Sequence, residues 1–278
     1  MDPGKLIKKC LLILAWISLA ALSGACQSLT STAAPASDAG AKRVLRVVTS
    51  GGLAAAYDSL AARFEAETGI DLLTAYGSSS GGAPDSIPLR LERGEPFDLI
   101  ILSKSSLNRL TERGEVRPET RRDLARSSIG MAVRQGAHMP DISTPDLFLD
   151  VLHDAESIGY SASASGTYLS TVLFPRLGVW EQLEPKSHRI LSERVAAVVA
   201  RGEVEIGFQQ ISEILPIQGA SLVGPIPSEF QKVTTFSAGI TMRAKNVTDA
   251  ERLIDFLASR EVATAIAETG LEPVVPDP

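Results

Sequence analysis

From residue 44 onward, short apolar runs alternate with segments whose apolar residues recur at helical spacing. Continuous apolar runs indicate buried strands, and helical spacing indicates amphipathic helices. The predicted strands are 44–48, 70–76, 97–102, 127–133, 157–160, 204–208 and 233–242, and the predicted helices lie near 53–64, 89–93, 168–173, 194–200, 249–257 and 261–269. This alternation predicts an α/β fold in which a parallel sheet is covered by helices on both faces.

Three turns that follow predicted strands are built from serine, threonine and glycine. They contain Ser50, Gly51 and Gly52; Ser78, Ser79 and Ser80; and Ser165, Gly166 and Thr167. Each turn precedes a predicted helix, whose first N–H groups and partial positive charge favour an anion. The same residues also cap helices without binding a ligand. Because ligands bind at the carboxyl ends of strands in open α/β sheets, the recurrence of these turns predicts one pocket for a small anion.

Composition narrows the classes of partner. The chain is 44% hydrophobic, has a net charge of −6 and mixes acidic with basic residues along its length. It contains no Lys/Arg cluster, so nucleic acid is not expected as a partner. Only 5% of residues are aromatic, which disfavours a sugar-binding cleft. No His, Cys or carboxylate pair has the spacing of a metal site, so neither a metal nor a cofactor is predicted.

The N-terminal segment has the pattern of a secretory signal. A cationic start, an apolar run at 11–22 and small residues at 23–25 predict a signal peptide over 1–25. The apolar run is too short for a transmembrane helix. Cys26 then becomes a candidate lipidation site, with cleavage by an ordinary signal peptidase as the alternative, and 26–43 reads as a flexible stalk. These features predict a periplasmic or cell-surface lipoprotein.

Several motifs together resemble one family of proteins. They are VVTSGGL at 47–53, YGSSS at 76–80, GEPFDLII at 94–101, GTY at 166–168, LGVW at 177–180 and EIGF at 205–208. Over about 44–271 the chain resembles the periplasmic molybdate-binding proteins of ABC importers. The resemblance implies a type II periplasmic-binding-protein fold, in which crossing strands join lobe 1 (44–126 plus 239–273) to lobe 2 (131–235). It also implies a monomer that holds a small anion between the lobes and delivers it to a membrane permease.

The resemblance further implies which residues contact the ligand. The family's contacts map onto Gly52 with Ser50 nearby, onto Ser79 or Ser80, onto the backbone near Gly166 and Thr167, and onto Gln210 beside Gln209. The family has serine where this chain has Gly52, and tyrosine where it has Gln210. The first change removes a hydrogen-bond donor, and the second introduces an amide that both donates and accepts. These departures favour a small organic anion, whereas molybdate or tungstate, with Ser50 as the substitute donor, stays the other interpretation.

Two further classes of function are open alternatives. The segment 77–81 matches the G-x-S-x-G nucleophile elbow, which makes Ser79 a candidate nucleophile of a serine hydrolase. A hydrolase needs a histidine near that serine, and His138, His153 and His188 lie in loop, helix-end and strand contexts. A surface-anchored interaction module without a ligand is the second alternative. The sequence therefore predicts a binding protein and no enzyme.

Overall fold

The computed structural model describes residues 43–275. The predicted signal peptide, Cys26 and the stalk up to residue 42 lie outside the described residues. The strands are β1 Arg43–Ser50, β2 Ile70–Gly77, β3 Leu99–Ser103, β4 Arg122–Ser127, β5 Ile129–Arg134, β6 Ile158–Ser161, β7 Ser187–Ile190, β8 Ile206–Gln210, β9 Ala220–Pro225, β10 Thr234–Ile240 and β11 Glu272–Pro273. The helices are α1 Gly51–Thr68, α2 Ile87–Glu92, α3 Lys104–Glu112, α4 Pro145–Asp154, α5 Ala164–Tyr168, α6 Phe174–Arg176, α7 Trp180–Leu183, α8 Val195–Ala200, α9 Ile211–Ile214, α10 Val247–Leu257 and α11 Ala263–Ala267.

The strands form two mixed sheets. The first has the order β11-β4-β10-β3-β1-β2, and the second has the order β7-β6-β8-β5-β9. In the first sheet β1 pairs in parallel with β2 and β3, while β10 runs antiparallel to β3 and β4. In the second sheet β6 is parallel to β7 and β8, and β5 is antiparallel to β8 and β9.

Each sheet has its own apolar core. Helices α1, α10 and α11 pack on one face of the first sheet through residues such as Tyr57, Phe64 and Leu253, and α2 and α3 cover the other face. The second sheet is covered by an aromatic cluster that includes Phe148 and Phe208, and by α8 and α9 on the opposite side. Burying both faces of a sheet accounts for the continuous apolar runs of the central strands.

Two connections carry the chain between the sheets. Strand β4 passes into β5 through the single residue Ser128, and the return runs from β9 to β10. The Gln231 side chain fixes the return segment to β5, because its Oε1 accepts from Ile129 N at 2.8 Å and its Nε2 donates to Ile129 O at 3.0 Å. None of the helices among residues 43–275 is long and apolar enough to cross a membrane.

The predicted parallel pairing holds for β1, β2 and β3 and for β6, β7 and β8, while the other strands pair antiparallel. Strand β10 enters the first sheet from the second one instead of through a β-α-β crossover, so nothing forces it to run parallel to its neighbours. The predicted strand 127–133 is split at Ser128, where the chain changes sheets. Strand β9 has no counterpart among the predicted strands, because its residues are all partly exposed and carry no strong apolar signal.

Candidate functional site

A cavity of about 190 Å³ lies at the carboxyl ends of β1, β2, β6, β7 and β8, with walls from both sheets. Of the predicted ligand-binding residues, the cavity is lined by Ser50, Gly51, Gly52, Ser78, Ser79, Ser165, Gln209 and Gln210. Ser80, Gly166 and Thr167 do not line it. The structure thus brings together one residue or more from each of the three turns, while contact with a ligand stays a prediction.

The first turn joins β1 to the N-terminus of α1. Ser50 ends the strand, and its buried Oγ has no hydrogen-bond partner among the described residues. Gly52 is glycine because of packing: a Cβ there would overlap the Phe236 ring, with Cε1 at 2.6 Å. The donor expected from the family's serine is therefore replaced by an aromatic wall, and Ser50 is the polar side chain that this turn presents.

The second turn is held by its own hydrogen bonds. Ser79 Oγ accepts from Ser103 N at 2.9 Å, and Ser78 Oγ donates to Ser80 O at 2.8 Å. Asp85 lies farther along the same loop and contacts Ser192, which lies in the loop after β7. Ser192 Oγ donates to Asp85 Oδ1 at 3.4 Å. The loops after β2 and β7 thus approach each other at the edge of the cavity.

Of the three residues predicted from the third turn, Ser165 lines the cavity and Gly166 and Thr167 do not. Ser161 and Ser165 line the cavity, with their Oγ atoms 3.1 Å apart. Gly166 packs on the backbone instead: a Cβ there would overlap the Ser161 carbonyl oxygen, and the Gly166 N–H donates to Ser161 Oγ at 3.3 Å. Its glycine serves the close approach of α5 to β6, which explains why Gly166 and Thr167 lie behind the cavity wall.

The two glutamines at the end of β8 are partly engaged. Gln209 Oε1 accepts from Ala196 N at 3.3 Å, and Gln210 Nε2 donates to Thr234 Oγ1 at 3.0 Å. Gln210 Oε1 is buried and has no hydrogen-bond partner among the described residues. A buried acceptor without a hydrogen bond costs free energy, so this oxygen favours a ligand or a water molecule that donates a hydrogen bond to it.

Glu213 is the principal site residue that the sequence analysis missed. It lies in α9, one turn beyond Gln210, and its carboxyl group sits beside Gly51 at the start of α1. Burial raises the pKa of Glu213 to about 7, although Arg194 and hydrogen bonds from Gln209 and from the backbone of Gln210 act in the opposite direction. A carboxyl with such a pKa exchanges protons readily near neutral pH.

Arg194 is the cationic side chain of the cavity lining, where it precedes α8. The ion pairs within residues 43–275 do not include it, and it influences Glu213 by charge alone. The neighbouring acid Glu193 is instead paired with Arg201 at 2.9 Å. A guanidinium with free donors in a cavity is suited to a carboxylate or another planar anion.

The chemistry of a serine hydrolase is not assembled in the cavity. His138, His153 and His188 are not among its lining residues, and Ser79 Oγ is occupied by the amide of Ser103. Across the described part of the chain, no group of three His, Cys, Asp or Glu side chains could hold a metal ion. The reactive groups that line the cavity are therefore the carboxyls of Asp85, Glu193 and Glu213, one guanidinium and several hydroxyls.

Solved structures share this architecture. The periplasmic molybdate-binding protein of Azotobacter vinelandii superimposes with a TM-score of 0.67 at 20% identity, covering 84% of this chain and 100% of that chain. At this identity the likeness shows the fold alone, and it confirms the predicted two-lobed type II periplasmic-binding-protein fold. Molybdate-binding protein ModA of Escherichia coli (strain K12) is 22% identical over 231 residues, which are 81% of this chain and 88% of that protein.

A second curated relative changes the functional picture. A protein of Pseudomonas sp named "Aconitate isomerase" is 43% identical over 234 residues, which are 84% of this chain and 89% of that protein. This similarity points to an enzyme and overturns the prediction that the chain is not one. The prediction weighed only a serine hydrolase and a metal site, and did not consider the carboxyl of Glu213 that lines the cavity.

The family itself is identified by a match along most of the described residues. Residues 45–272 match the family described as bacterial extracellular solute-binding protein. The match confirms the resemblance noted in the sequence and extends over both sheets. The chain belongs to the bacterial extracellular solute-binding protein family.

Proposed function

We propose that the chain is an isomerase of a small unsaturated polycarboxylate, with aconitate as the first candidate substrate. The observation that carries this proposal is the carboxyl of Glu213 in the cavity, with a pKa of about 7. The 43% identity to a protein named aconitate isomerase supports the choice of substrate.

The reaction follows from the structure of the substrate. Aconitate is a propene that carries three carboxylates, and its methylene group lies next to both a double bond and a carboxylate. A base can remove a methylene proton, because the electron pair then spreads over three carbons and the attached carboxylates. Return of the proton to the former vinyl carbon moves the double bond by one position. The conformation about the former single bond decides whether the product is cis or trans, so no rotation about a double bond is needed.

Glu213 is the group that would move this proton. An ordinary glutamate is almost fully ionised at neutral pH and is a weak base, whereas a pKa near 7 combines a populated ionised form with a stronger base. The same carboxyl, once protonated, is the acid that returns the proton. A single residue can therefore serve both half-reactions.

Arg194 and the turns supply the binding contacts. The unpaired guanidinium would hold one carboxylate of the substrate and offset the negative charge that spreads onto the carboxylates in the intermediate. Ser50 Oγ, which has no hydrogen-bond partner within residues 43–275, is a second donor at the N-terminus of α1. The cavity of about 190 Å³ is small beside the roughly 300–1,000 Å³ of drug-sized sites, which fits a compact acid.

Anion capture for an ABC importer is the second candidate function, and family membership favours it. In this proposal the chain binds molybdate, tungstate or a small organic anion and hands it to a permease. Family members are extracytoplasmic, which fits an exported protein. The lipid anchor on Cys26 and the monomeric state are proposals of the same kind.

The test is an isomerisation assay with the purified protein. Proton NMR should show cis-aconitate and trans-aconitate converting into one another, and Glu213→Gln should abolish conversion. The variant should still bind tricarballylate, the saturated analogue that cannot isomerise. Binding of aconitate without conversion by the wild-type protein would refute the isomerase, and thermal stabilisation by molybdate and tungstate alone would support oxyanion capture.

A further inference from the structure

Gly51 lies directly beneath the carboxyl group of Glu213. A Cβ at position 51 would overlap Glu213 Oε1 and lie 3.1 Å from Cδ. The backbone at Gly51 does not require glycine, since its φ is not in the left-handed region and the residue begins the regular helix α1. Helix propensity would favour almost any other residue at this position. The glycine therefore matches the position of the carboxyl and not the conformation of the chain.

The elements on either side of this contact are fixed to each other. Ser212, the neighbour of Glu213 in α9, donates its buried Oγ to Gly52 O at 2.7 Å. The Phe236 ring fills the space above Gly52. Helices α1 and α9 thus cannot move apart easily to admit a side chain at position 51. The carboxyl end of the Glu213 side chain is the part that would move.

We propose that Gly51 is a positioning residue, whose missing side chain seats the Glu213 carboxyl against the first turn of α1 and so separates isomerisation from simple binding. The proposal rests on the proposed function. Any side chain at position 51 would push the carboxyl from its seat toward the open cavity. The other cavity residues would keep their places, so the ligand would still bind while the proton transfer lost its geometry.

Gly51→Ala is the selective test, and Gly82→Ala is its matched control. Gly82 is an exposed glycine without positive φ in the second loop, and a Cβ there meets nothing within 4 Å. A displacement of about 1 Å can lower turnover about a hundredfold. We expect that loss of kcat in Gly51→Ala, with KM and the affinity for tricarballylate close to wild type, and no loss of kcat in Gly82→Ala. The proposal would be overturned if Gly51→Ala raised KM by the same factor by which it lowered kcat.

A double-mutant cycle shows whether Gly51 acts through Glu213. The cycle is measured as thermal stability, because Glu213→Gln abolishes turnover. Gly51→Ala should destabilise the protein less in a Glu213→Ala background, where the overlapping carboxyl is absent, than in the wild-type protein, and full additivity of the two effects would contradict the proposal. If Gly51→Ala alone destabilises the fold, Gly51→Ala/Glu213→Ala should recover stability, because the overlapping carboxyl is then absent, and failure to recover would also count against it.

A direct titration keeps this inference separate from the isomerase proposal. The carboxyl carbon of Glu213 can be followed by ¹³C NMR in glutamate-labelled protein and assigned with Glu213→Gln. Its midpoint should fall in Gly51→Ala, because the displaced carboxyl gains solvent, and stay in place in Gly82→Ala. An unchanged titration midpoint of Glu213 in Gly51→Ala would refute the proposal that Gly51 positions this carboxyl. Absence of isomerisation by the wild-type protein would refute the proposed function and leave this result standing.

Discussion

Replacing Glu213 by glutamine should stabilise the protein at neutral and alkaline pH and change its stability little in acid. Burial raises the pKa of Glu213 to about 7 from an ordinary value of 4.5. Between these two values the folded protein holds a proton that the unfolded chain has lost. The free energy of unfolding of the wild-type protein therefore falls as the pH rises through this window, and below it the effect disappears.

The size of the effect follows from the two pKa values. The difference between about 7 and 4.5, at about 1.4 kcal/mol per unit, gives about 3 kcal/mol of penalty that the wild-type protein carries above pH 7. Glutamine keeps a similar volume and hydrogen bonds and never ionises, so the variant avoids the penalty. For a domain of this size, the gain corresponds to a melting temperature higher by roughly 6–12 °C at alkaline pH.

Thermal unfolding of both proteins by calorimetry or circular dichroism from about pH 4 to pH 8 covers the window. The control is Glu203→Gln, since Arg201 lowers the pKa of that exposed carboxyl and the control should lose stability at neutral pH. A difference between wild type and Glu213→Gln that stays constant with pH would refute the reasoning. A variant less stable than wild type at pH 8 would do the same.

Four other outcomes follow from the same site. Arg194→Gln should raise the KM for aconitate and move the pH optimum upward, because Arg194 lowers the pKa of Glu213; steady-state kinetics against pH would show it. Binding of tricarballylate near neutral pH should take up protons, since an added anion raises the pKa of Glu213 further, and calorimetry in buffers of different ionisation enthalpy measures the uptake. Gly52→Ser should destabilise the protein by about 1–3 kcal/mol in a chemical denaturation experiment, because it overpacks the Phe236 ring. Ser79→Ala should keep isomerase activity while losing some stability, since a buried amide loses its acceptor; loss of turnover at unchanged stability would revive the nucleophile hypothesis.

The sequence was sufficient for the fold and for the approximate position of the site. Alternating strands and helices, the Ser/Gly turns and the family motifs predicted two lobes with a cavity at strand ends, and most of the predicted residues line that cavity. These features are local, since the residue type in a turn indicates the backbone conformation at its own position. The antiparallel pairing of β10 depends on where the returning chain enters the sheet, which no local pattern records.

Glu213 escaped prediction for a physical reason. Its environment is made by α1, which lies far away in the sequence, so neither its burial nor its pKa has a local signal. The one available signal was its position: an acid in the first turn after the Gln209-Gln210 strand end, where ligands of such folds bind. Gly166, predicted as a ligand contact, does not line the cavity, and its glycine is required by the close approach of the Ser161 carbonyl oxygen.

A binding scaffold needs few changes to become an isomerase. A pocket that desolvates a small anion already holds a carboxylate in place and excludes water, which are two of the requirements for removing a neighbouring proton. The remaining requirement is a base whose pKa is near the working pH, and burial alone gives Glu213 that property. The glycine at position 51 admits the carboxyl without a change in the course of the backbone. On this reasoning the combination of Gly51 and Glu213 would separate an isomerase of this family from a binding protein with the same fold, and the paired variants of these two residues measure that difference directly.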